Sequence, residues 1–76
     1  MDKILTLRYD KVGDILYIDT CPPYPDQESE EIGDEVVARL NPTSGEIENL
    51  EILFFSKRSQ GTAVTLPISA DFKLAG

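Results

Sequence analysis

Apolar and polar residues alternate with the two-residue period of a β-strand in four stretches of this chain. In Glu35–Leu40, the side chains of Val36, Ala38 and Leu40 share one face, and in Glu46–Phe55 the matching row is Leu50, Ile52 and Phe54. Asn41-Pro-Thr-Ser-Gly45 lies between them and predicts a hairpin turn, with Pro42 presetting φ at the first corner and Gly45 taking φ > 0. The opposite face of this hairpin is mixed: Val37, Ile47, Leu53 and Phe55 stand among Glu35, Arg39, Asn49 and Glu51.

Ile4–Tyr9 and Ile15–Thr20 repeat the pattern around Asp10-Lys-Val-Gly-Asp14. Gly13 is the expected left-handed position of that turn, and the Asp10 carboxylate is placed to accept its N–H groups. In register, Leu5, Leu7 and Tyr9 join Leu16 and Ile18 on the core face, leaving Ile4, Thr6, Arg8, Ile15, Tyr17 and Asp19 behind.

Cys21-Pro-Pro-Tyr-Pro25 interrupts the sheet, because proline removes ladder donors. Asp26–Glu35 then carries six carboxylates and no base. Within it Glu28–Ile32 fits a short edge strand, charged against unwanted pairing, and Gly33-Asp34 turns into the next strand. Ser56–Gly61 reads as a helical turn stopped by Gly61. Thr62–Ile68 is extended, with Val64, Leu66 and Ile68 suited to covering the sheet and Phe72 and Leu74 prolonging that cover. The pattern predicts one α+β, mostly β domain over residues 1–76: a four-stranded antiparallel β-meander, a short helical turn, and an extended C-terminal covering segment over about 59–76.

Charge and composition narrow the function. The 14 acidic residues against 7 basic ones give a net charge of −7 and a pI near 4.3. That balance argues against nucleic-acid binding and against an anionic membrane surface, and it favours a basic protein as partner. Cys21 is the single cysteine and there is no histidine, so neither an internal disulfide nor a zinc site is expected, and no cofactor. The start, Met1-Asp-Lys-Ile-Leu-Thr-Leu7, has no long apolar run of the signal-peptide kind, and no stretch approaches a membrane span; a cytoplasmic protein is expected. A chain this short has a thin core, which makes a homodimer the expected state.

Tyr9-Asp10, Asp14-Ile-Leu-Tyr-Ile18, the acidic Glu28-Ser-Glu-Glu-Ile32, and Gly45 ahead of Leu50-Glu-Ile-Leu53 together resemble a family of small bacterial proteins. That family is classed as domain of unknown function twenty-two eighty-three, and the likeness spans about residues 7–58. The longer match, with Pro25, Asn41-Pro42 and Leu66-Pro67, is similar to versions from photosynthetic bacteria. The resemblance implies a compact antiparallel β domain with a short helical element and carries over no catalytic residue. Because some relatives are thought to be encoded beside small toxin-like proteins, it also brings an antitoxin-like role into range.

Candidate chemistry is sparse. Glu28, Glu30, Glu31, Asp34 and Glu35 offer oxygen ligands for a hard cation, but their spacing matches no calcium loop, and a solvated acidic edge facing a partner is the favoured reading. Acid–base pairs such as Asp10 with Asp14 arise by chance in so acidic a chain, and both residues suit turns. The candidate partner surface is therefore Tyr24, Glu28, Glu30 and Glu31, and the candidate self-association surface is the apolar part of the reverse face, Tyr17, Val37, Leu53 and Phe55. The expected function is non-enzymatic protein binding; the alternative is a metal-dependent or hydrolytic enzyme using the acidic segment.

Overall fold

A computed structural model of the protein describes residues 4–58 and 64–75. Five strands form one sheet: β1 (Thr6–Asp10), β2 (Ile15–Asp19), β3 (Glu28–Gly33), β4 (Val36–Leu40) and β5 (Ile47–Leu53), in the spatial order β1-β2-β5-β4-β3 with every pair antiparallel. One helical turn, α1 (Phe55–Arg58), follows β5.

The four-stranded meander is thus corrected in two ways. The edge strand expected at Glu28–Ile32 is present as β3 and brings the sheet to five strands, not four, and β2 lies beside β5 instead of beside the next strand in sequence. Both differences follow from the Pro-rich segment after β2, which cannot pair in the ladder. It leads the chain away from β2, so β3, β4 and β5 form a separate meander. The long apolar strand β5 then becomes the centre of the sheet.

Cross-strand register confirms which residues share the core face. Leu7, Ile18, Leu50 and Ala38 lie opposite one another in turn, as do Tyr9, Leu16, Ile52 and Val36. Only the β4 and β5 members, Val36, Ala38, Leu50 and Ile52, are fully buried. Leu16 and Ile18 are half-buried, and Leu7 and Tyr9, on the outermost strand, remain 63% and 45% exposed. The C-terminal segment crosses this same face. Pro67 lies against Gly33, while Leu66, Ile68 and Phe72 line an apolar hollow of about 270 Å³ together with Leu5, Ile18 and Leu50.

Two local irregularities move side chains that strict alternation had assigned elsewhere. Between Arg39 and Leu40 the β4–β5 register jumps from Asn49 to Ile47, so Glu48 is the extra residue of a β-bulge. Ile47 consequently pairs with Leu40 and joins the core side, where it lines the hollow; it does not belong to the reverse face. At the other end of β5, Phe54 adopts φ 54° and turns the chain into α1. Its ring is 47% exposed instead of core. Phe55 swings to the core side and meets Tyr9 edge-to-face, with centroids 5.9 Å apart.

The turns are partly as expected. Gly45 has φ 76°, and Asn41 Oδ1 accepts the N–H groups of Thr43 and Ser44. In the first hairpin Asp10 Oδ1 accepts from Val12 and Gly13, but the left-handed residue is Asp14 (φ 57°), not Gly13. An added Cβ on Gly13 would sit 2.9 Å from the Asp10 carboxylate, so lack of a side chain is what the turn uses there. The predicted helix stop at Gly61 lies outside the described residues.

Candidate binding surfaces

The acidic edge is the first surface. β3 bonds only to β4, which leaves its outer backbone row unpaired. Glu28 and Glu30 lie opposite Leu40 and Ala38 and so flank the core face, whereas Ser29 and Glu31, opposite Arg39 and Val37, flank the reverse face. All four are exposed, and none of the three glutamates has an ion-pair partner among the described residues. The three carboxylates therefore border the open edge on both sides. No group of three or more His, Cys, Asp or Glu side chains that could share a metal ion occurs among the described residues.

Tyr24 does not belong to that surface as a free contact. It is half-buried, and its hydroxyl donates to Glu48 Oε1 at 2.5 Å; this bond and the partly desolvated ring push its pKa up to about 12. The bulge makes this possible by presenting Glu48 beside Asn49. Gln27 Nε2 donates to both, at 3.1 Å to Glu48 Oε1 and 2.7 Å to Asn49 Oδ1. Asn49, 2% exposed, donates in turn to Asp19 Oδ1 and to the Cys21 carbonyl. Asp19 Oδ2 accepts from Arg8, whose guanidinium lies 4.3 Å from the Tyr17 ring centre. A continuous polar network thus fastens the Cys21–Gln27 segment to the sheet.

This network also redraws the proposed self-association patch. Tyr17, Val37 and Leu53 do share the reverse face, through pairing with Glu51 and Ile15, but all three are half-buried and interleaved with charge. Arg39 and Glu51 pair there at 2.5 Å. Phe55 is on the other side altogether, against Tyr9. The reverse face is a polar lattice with apolar gaps, because Asp19, Asn49, Arg39 and Glu51 occupy its middle rows.

A third cluster joins the first hairpin to α1. Asp14 accepts from the Tyr9 hydroxyl at 2.6 Å, the Ser56 amide at 3.0 Å and the Ser56 hydroxyl at 2.7 Å. The Tyr9 bond, then the Ser56 bonds, hold the Asp14 pKa below its ordinary value, and the same contact raises that of Tyr9. Arg58 fixes the far end of α1 by donating to the carbonyls of Asp34, Glu35 and Leu53. The sequence reading had Asp14 as a turn residue only; its second role depends on α1 folding back across 42 residues, which no local pattern announces.

The segment that carries the strands, residues 6–56, matches the family model described as a protein of unknown function (DUF2283). The chain belongs to the DUF2283 family. The match covers β1 to β5 and the start of α1. No curated protein and no solved structure is matched by the chain. No helix among the described residues is long and apolar enough to cross a membrane.

Proposed function

We propose that the protein is a non-enzymatic, cytoplasmic binding module whose acidic edge strand β3 takes up an extended basic segment of another protein. The observation that carries this is the combination, among the described residues, of an open backbone edge with three exposed carboxylates that have no ion-pair partner, on its two flanks. An added strand would gain main-chain hydrogen bonds along β3, while its alternate Lys or Arg side chains would reach Glu28 and Glu30 on one side and Glu31 on the other. Two carboxylates within the sheet are already occupied: Asp14 accepts three bonds and Asp19 accepts from Arg8 and Asn49, which supports binding over acid–base chemistry there. The cytoplasmic location is supported by the single cysteine, Cys21, which is free, as a thiol is in a reducing compartment. An antitoxin-like role, implied by the family resemblance, is one form such binding takes.

Titration of the labelled protein with a short peptide of alternating Lys and Val, followed by amide chemical shifts, tests the reading. Shifts should concentrate in β3, weaken with added salt, and disappear in Glu30→Lys. Shifts spread over the sheet without preference for β3, or unchanged in Glu30→Lys, would reject it.

A further inference from the structure

The opposite edge of the sheet has a different chemistry. β1 also has one strand neighbour, yet it carries no carboxylate between Thr6 and Tyr9, and its single cation, Arg8, is already bound to Asp19. Its core-side row, Leu5, Leu7 and Tyr9, is exposed by 45%, 63% and 45%. The usual safeguards of an edge strand, inward charges, proline or a bulge, are absent from Thr6–Tyr9. On β3, by contrast, Glu28, Glu30 and Glu31 would confront themselves in any symmetric pairing.

We infer that a second copy of this chain pairs with β1 through β1, antiparallel about a two-fold axis at Leu7, to give one continuous ten-stranded sheet. The register follows from the residues. Centring on Arg8 would set Arg8 directly against Arg8 of the second copy, which is unfavourable. Centring on Tyr9 leaves Leu5 unpaired and sets Leu7 against Lys11. Centring on Leu7 sets Leu7 against Leu7 and Leu5 against Tyr9, so every core-side pair is apolar, and it places Arg8 opposite Thr6. The same register brings the second copy up to the hollow at the end of the row. Leu5 borders a space of about 450 Å³ that Ile4, Thr20, Ala70 and Phe72 also line, and Tyr9 of the second copy arrives opposite Leu5, at its mouth. Ile4 and Phe72, 68% and 81% exposed in the single chain, lie where that contact would cover them.

This inference is independent of the acidic edge, since the two lie at opposite ends of the sheet. Light scattering of the full chain at high micromolar concentration should give near twice the 8.4 kDa chain mass; a mass of one chain overturns the proposal. Leu7→Lys, which sets two cations face to face, should weaken association by about tenfold or more, whereas Glu31→Lys should leave it intact. A dimer that survives Leu7→Lys overturns the surface. Should Leu7→Lys fail to fold, cysteine crosslinking in a Cys21→Ser background reads the register directly. Leu7→Cys should form an interchain disulfide on mild oxidation, and Arg8→Cys should not, because its own copies stand too far apart to bridge. Equal linking of both, or of neither, overturns the register.

Discussion

Among the described residues four hold the left-handed backbone conformation, and only one of them is glycine: Asp14, Glu35 and Phe54 share it with Gly45. At Gly45 nothing lies within 4 Å of an added Cβ, so Gly45→Ala meets no clash and its penalty is the backbone alone, about 1 kcal/mol, readable as a lower urea midpoint. The reverse change should help at Glu35. Its φ is 58°, and the bonds at this residue run through its backbone carbonyl, to Leu53 N and Arg58, which glycine keeps. Glu35→Gly should therefore raise the stability by up to about 1 kcal/mol, read as a higher midpoint in the same titration. Asp14 sets an acid limb. Its pKa is lowered on folding, so the contribution it makes is complete above the ordinary carboxylate pKa and is lost as pH falls through the lower folded value. Unfolding titrations below about pH 4 should show a shallower acid loss for Asp14→Asn than for the parent chain. Gly45 and the Asp10 turn bonds were legible in the sequence because turn chemistry is local. Asp14, Glu35 and Phe54 were not, because residues bearing a Cβ reach this conformation only when distant contacts over-determine them.

Among the elements, β5 decides most. Its Leu50 and Ile52 were readable as core from alternation, and the structure buries both. The alternation failed at Glu48 and again at Phe54, the two places where the strand departs from a regular pleat. A bulge adds one residue without changing composition, so nothing in the local pattern separates it from an uninterrupted strand. The clue that was present is Asn49, a polar side chain between Ile47 and Leu50 in a central strand. Its amide joins Asp19, Cys21 and Gln27, and Asn49→Leu would take the Asn49 donor away from Asp19 Oδ1 and the Cys21 carbonyl and cost Gln27 one of its two acceptors. That substitution should destabilise by roughly 2–4 kcal/mol despite raising hydrophobicity, and it should release the Cys21–Gln27 segment to protease. An unchanged denaturation midpoint would show that the network is ornamental to stability.

For the whole molecule, the sheet has a single apolar face, and the C-terminal segment is what crosses it. The alternation offers Val64, Leu66, Ile68 and Phe72 as cover for the partly apolar reverse face, within one chain or exchanged with a neighbour; Leu66, Ile68 and Phe72 lie instead against the core side, beside Leu5, Ile18 and Leu50. Once Ile47 and Phe55 move to the core side, only one face is apolar enough to need it. Leu66, half-buried beside Ile18 and Leu50, is the inner contact of the segment. Leu66→Ala should cost about 1–2 kcal/mol, below the range for a fully enclosed leucine because the site is partly open. Thermal unfolding of the variant checks it.

Strand order has a consequence for how the chain is made. β5 is the last of the five strands in sequence and stands at the centre of the sheet, with β2 on one side and β4 on the other. As the chain emerges during synthesis, the β1–β2 hairpin and the β3–β4 hairpin can each close early, but they have no strand in common until Leu53 has appeared. Until then β2 and β4 each present the inner edge that β5 will later fill, and the nascent chain holds two half-sheets awaiting one keystone.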